Sequence, residues 1–162
     1  MSMTYGVFIS ALLAACVTQW ATSCSAPDGP NPAGAWVGRY TCAQGLTALD
    51  LTIEQPTPGR LRAQFHFSAV PSNPEVPEGC FLMTGRFDGR DHVVLEPSAR
   101  VDRPAGFVMV GLDGTLTAGA SVLTGNVTQV PVCTTFTLSR VIGLQTRAVG
   151  CHRPGEFVAS AG

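Results

Sequence analysis

The chain has no lysine: all ten of its basic residues are arginines. That excludes Schiff-base chemistry and a P-loop lysine at the outset. Charge of either sign is scarce, the net charge is −1, and neither a basic stripe nor an acidic tail is present. A nucleic-acid backbone therefore has nothing to bind, and no nucleic-acid partner is expected. There is no Cys-x-x-Cys pair for redox work or a zinc knuckle, and no Gly-x-Ser-x-Gly elbow for a nucleophilic serine. The three histidines, His66, His92 and His152, have no ligand-pair spacing and read as surface residues. No catalytic residue, metal site or cofactor follows from any of these, so an enzyme is the least favoured class. Apolar runs near 20 residues, long enough to span a membrane as a helix, are also missing.

One shorter apolar run is present. Residues 6–17 (GVFISALLAACV) have the length and composition of a signal-peptide core, although no Lys or Arg precedes them. Leu13-Ala14-Ala15-Cys16 resembles the lipobox of bacterial lipoproteins, in which the cysteine carries the lipid. Ala21-Thr22-Ser23 before Cys24 reads as a signal-peptidase site or a second lipobox. Cysteine parity favours Cys24: lipidation there leaves Cys42, Cys80, Cys133 and Cys151, an even set for two disulfides. The expected organisation is a signal peptide at 1–23, a Pro/Gly-rich tether at 24–34, a folded domain at 35–141 and a tail at 142–162. Such a chain is exported to the periplasm or cell envelope or secreted, and it meets the membrane only through a lipid on Cys24 or Cys16.

From residue 35 onward apolar and polar residues alternate in short runs broken by turn signals about 8 to 12 residues apart. Leu49, Leu51 and Ile53 share one face, as do Leu61, Ala63, Phe65 and Phe67. Strands are expected at 35–41, 46–54, 61–70, 80–87, 93–96, 107–112 continuing through 115–117, 122–130 and 132–140. Residues 55–59 are read as a break, 71–79 and 97–105 as loops, Asp88-Gly89 as a hairpin turn, and Asp113-Gly114 as a turn or a bulge. The fold class is all-β: a single antiparallel up-and-down barrel of about eight strands, with a β-sandwich as the alternative. Mid-strand glycines in Met83-Thr84-Gly85-Arg86-Phe87 and Leu123-Thr124-Gly125-Asn126-Val127 allow the curvature that a small barrel needs. Cys42 ends the first strand and Cys133 begins the last, which are neighbours once a barrel closes. The expected disulfides are therefore Cys42–Cys133 and Cys80–Cys151, one of three possible connectivities.

Gly34-Ala35-Trp36 at the head of the first strand resembles the Gly-x-Trp signature of the lipocalin and avidin (calycin) barrels. In that group an arginine on the last strand packs across the tryptophan and closes the base. The resemblance implies that role for Arg140 with Trp36. Tyr40-Thr41-Cys42 resembles an early strand of bacterial lysozyme inhibitors, whose inhibitory Ser-Gly-x-x-Tyr loop is missing here. Stiff loops on a rigid barrel commonly carry binding residues. Asn73, Glu75 and Glu78 in the first long loop, with Arg100, Arg103 and Phe107 in the second, are the candidates. The expected function is a non-enzymatic binding or interaction module of the cell envelope, its partner a small apolar ligand or an envelope protein. A protein inhibitor or a hydrolase-accessory domain is the alternative. An open apolar interior would favour the small ligand, and a filled one would favour protein contacts.

Overall fold

The computed structural model describes residues 30–102 and 104–142. Every regular element among them is a strand: β1 (Gly34–Cys42), β2 (Gly45–Thr57), β3 (Arg60–Ser68), β4 (Gly79–Phe87), β5 (His92–Asp102), β6 (Gly111–Thr117), β7 (Val122–Thr128) and β8 (Thr135–Arg140). Each pairs antiparallel with the next, and β8 pairs back onto β1, so the sheet closes into an eight-stranded up-and-down barrel. Closure removes the open edges that a sandwich would retain. Up-and-down connectivity also sorts the connections. The N-terminal approach, the tight turns at 58–59 and 118–121, and the 88–91 connection lie at one end, the base. The β1–β2 turn and the loops 69–78, 104–110 and 129–134 lie at the other, the mouth.

Alternation decides what points inward. On β2 and β3 the buried apolar set is Leu49, Leu51, Ile53, Leu61, Ala63, Phe65 and Phe67, the two expected faces. Trp36, Phe81, Met83, Leu95, Leu112, Leu123, Phe136 and Leu138 complete a continuous core. Phe65 stacks on Phe81 with centroids 4.5 Å apart and meets Tyr40 edge-on at 5.3 Å. The barrel interior is thus filled by its own side chains.

A filled barrel of this size needs places where side chains are missing. Gly125 lies opposite Gly114 on one side and Phe136 on the other. A Cβ at Gly125 would fall 2.1 Å from the carbonyl oxygen of Asp113 and 2.5 Å from the Cα of Gly114. One at Gly114 would fall 2.6 Å from the Phe136 ring. These facing glycines let the strands close around that ring. Gly125→Ala is expected to lower stability by about 1–3 kcal/mol, because the atoms it meets are backbone and cannot turn aside. Urea unfolding of the variant checks it.

Several expected boundaries are corrected. Residues 55–59 do not end β2 at Glu54: the strand runs to Thr57 through a bulge, and only 58–59 turn. Residues 97–102 are not loop but the upper part of β5, bulged against β4. Proline is tolerated there because β5 pairs with β6 only from His92 to Leu95, which leaves its upper half with one partner. β6 begins at Gly111, not at Phe107, and Asp113-Gly114 is neither turn nor bulge but regular strand, paired on both sides. β7 ends at Thr128 and β8 starts at Thr135, so Val130 and Val132 lie in the loop between them. The last residues of the tether also pack. Pro32 is buried, and its carbonyl accepts a hydrogen bond from the Trp36 indole at 2.9 Å. Residues 1–29, with Cys16 and Cys24 in the expected signal segment and tether, Arg103, Cys151, His152 and the tail from 143 lie outside the described residues.

Candidate binding site at the mouth of the barrel

Trp36 and Arg140 are direct cross-strand partners at the base. The Arg140 guanidinium carbon lies 4.2 Å from the centroid of the Trp36 ring. Its Nε donates to Ala120 O at 2.8 Å, one terminal nitrogen to Ala33 O at 2.6 Å and the other to Asn31 O. One side chain therefore ties β8 to the N-terminal approach and to the β6–β7 turn. This clamp plugs the interior at the base, where a wide, open groove of about 710 Å³ runs past Asn31, Gln55, Pro58 and Asp88; the apolar pocket lies at the mouth.

The mouth is braced by the expected disulfide, Cys42–Cys133, which joins the end of β1 to the β7–β8 loop. Beside it lies a pocket of about 170 Å³ lined by Tyr40, Cys42, Ala43, Gln44, Gly106, Phe107, Val108, Val110 and Val130. Among the described residues, its lining includes no histidine, carboxylate or arginine. The floor carries a small polar cluster. Gln44 Nε2 donates to the Tyr40 hydroxyl at 3.1 Å and to Thr47 Oγ1 at 3.2 Å, and Thr47 donates to Gly45 O. Burial pushes the Tyr40 phenol up to about 12, so it stays neutral at any physiological pH and acts only as a hydrogen-bonding group. On the mouth loops Val108, which lines the pocket, is 56% exposed, and Val132, two residues beyond the lining Val130, is 60% exposed.

The candidate loop residues separate. Phe107 lines the pocket and stacks on Phe67 at 5.4 Å. Asn73 is structural: its amide donates to Gln44 O at 2.6 Å and Leu46 O at 3.1 Å, fastening the 69–78 segment over the β1–β2 turn. Glu75 is exposed on that segment. Glu78 pairs with His66 on the outer wall at 2.6 Å. Arg100 is exposed but stands on β5 rather than on a loop.

His66 is the clearest correction. Its outward phase on β3 suggested a surface residue, yet it is only 7% exposed, under the cover of neighbours that alternation cannot show. His92 does stand at the surface, 2.8 Å from Asp113. Cys80 is disulfide-bonded, and its expected partner, Cys151, lies outside the described residues. Sequence reading missed Tyr40, Gln44 and Thr47 as a cluster. It also missed the rim valines, although Val130-Pro131-Val132-Cys133 sets apolar residues around a proline and a cysteine where a strand cannot run. No family model, curated protein or solved structure matches this chain.

Proposed function

We propose that this chain is an exported, non-enzymatic binding module of the bacterial cell envelope, related in design to the calycin barrels, and that it engages an envelope protein through its mouth loops. The filled interior is the observation that carries this reading. A mouth pocket of about 170 Å³ falls below the roughly 300–1,000 Å³ of ordinary small-molecule sites. It matches one apolar side chain offered by a partner. Val108 and Val132 would frame that side chain, and Tyr40 and Gln44 would lie beneath it. Rigid, disulfide-braced loops lower the entropy lost on docking, which favours protein contact at a small apolar patch. The disulfides fit an oxidising compartment. Delivery there through residues 1–23, with or without a lipid on Cys24 or Cys16, belongs to the same proposal.

A photo-crosslinking residue at Val108, compared with one at Thr117 on the base, tests it in intact envelopes. The reading requires one discrete protein adduct from the mouth position alone. Val108→Glu with Val132→Glu should then weaken the purified complex by about tenfold or more, since charges would be buried at its centre. Equal adducts from both positions, or full binding by the double variant, would overturn it. So would saturable uptake of an apolar fluorophore into the barrel.

A further inference from the structure

The segment 69–78 is more than a connector. Three prolines, Pro71, Pro74 and Pro77, stiffen it, and an Asn73–Val70 hydrogen bond of 2.8 Å sets its turn. It reaches over to the β1–β2 turn at the mouth and places Val76 in the hydrophobic core, where that side chain is 6% exposed. At its far end Gly79 passes so close to Phe67 and Pro104 that a Cβ would lie 2.4 Å and 2.7 Å from them. Two polar contacts fasten it: Asn73 to the β1–β2 turn, and Glu78 to His66.

The second fastening has unusual chemistry. His66 is buried between two carboxylates. Its Nε2 lies 2.6 Å from Glu78 Oε1, and its Nδ1 lies 3.6 Å from Asp50 Oδ2 on β2. Nδ1 is too far from Asp50 for a hydrogen bond and is buried without another partner. On β4 the neighbour opposite His66 is Cys80, which is disulfide-bonded and does not titrate. One strand further, on β5, Asp102 is the register partner of Cys80.

We propose that residues 69–78 form a hinged lid over the barrel mouth, clasped to the wall by the Asp50–His66–Glu78 trio, and that loss of the His66 proton releases the clasp. The imidazolium carries an N–H towards each carboxylate and one positive charge between two negative ones. Neutral His66 keeps a single N–H. If that proton sits on Nε2, the buried Nδ1 lone pair faces the Asp50 carboxylate. If it sits on Nδ1, the Glu78 contact becomes lone pair against carboxylate. Either tautomer leaves one contact repulsive and takes the net charge of the trio from −1 to −2. Asp50 and Glu78 together hold the His66 pKa above its ordinary value, against the opposing pull of burial. The clasp is therefore complete below about pH 6.5 and weakens as pH rises through the raised folded value. The lid is distinct from the partner reading above, and its test involves no partner.

The experiment is amide hydrogen exchange of the disulfide-intact mature chain between pH 6 and pH 8.5, corrected for intrinsic exchange, with His66 titrated in parallel by NMR. We expect opening of residues 69–78 to rise about fivefold or more across that range while β2 and β3 stay unchanged. Glu78→Gln, at an exposed side chain that leaves the core intact, should lower the His66 midpoint and flatten the lid's response. His66→Gln should flatten it as well. Lid protection that is constant with pH would overturn the proposal. So would a lid response that survives Glu78→Gln although the midpoint moves, or a loss of protection shared equally by the barrel strands.

Discussion

Arg140→Ala is expected to lower the stability of the barrel by about 2–4 kcal/mol, a large share of the roughly 5–15 kcal/mol that holds an ordinary domain together. The deletion leaves three backbone carbonyls, those of Ala120, Ala33 and Asn31, without their charged donor. It also uncovers one face of Trp36, a residue with no exposure at all in the intact protein. Cation–π contact adds about 0.5–2 kcal/mol when the pair is partly desolvated. Arg140→Lys should recover little of the loss: an ammonium is a point donor and cannot reach three diverging carbonyls while lying flat on an indole. Urea denaturation followed by Trp36 fluorescence measures it. A loss under about 0.5 kcal/mol would show that the Trp36–Pro32 hydrogen bond and the β1–β8 ladder close the base without help.

Removing the mouth disulfide with Cys42→Ser and Cys133→Ser is expected to cost about 3–5 kcal/mol. The two cysteines are separated by 91 positions, so the crosslink closes a long loop and restricts the unfolded chain strongly. Part of the effect is local. Cys133 is buried in the core, and the bond holds the β7–β8 loop, with Val130 and Val132, against the end of β1 together with a Thr134 N–H to Thr41 O hydrogen bond of 2.9 Å. Thermal unfolding of the double variant against the parent gives the global loss. Exchange at amides 129–134 should report extra opening there, beyond that of the strands. An unchanged melting temperature would mean that the barrel core alone fixes the mouth. Loss of mouth order would also weaken partner binding by the reading above, because the rim valines would no longer be held in place.

How far these features were legible from residues differs by kind. The strand faces of β2 and β3 were readable because side chains alternate with a period of two, and a buried face leaves its mark on every second residue. Gly85 and Gly125 were readable as points of curvature: a Cβ at Gly85 would lie 2.0 Å from Val94 O. The Cys42–Cys133 pairing followed once the first and last strands were taken as neighbours. Boundaries were less legible. Proline at 56 and 97 reads as a break, yet a bulge lets β2 pass the first and a half-paired edge lets β5 pass the second. Phe107 was found as a site residue, but its neighbours Tyr40 and Gln44 reach the same pocket from a distant part of the chain.

The sequence by itself therefore determined the all-β class and the inward faces of β2 and β3, because each depends on local composition and on a period set by backbone geometry. Tertiary structure alone decided that the interior is filled, that His66 is buried between Asp50 and Glu78, and that residues 69–78 fasten to the β1–β2 turn with Val76 in the core. Those facts arise from side chains meeting across closed strands, and long-range contact leaves no periodic trace in the residues that make it.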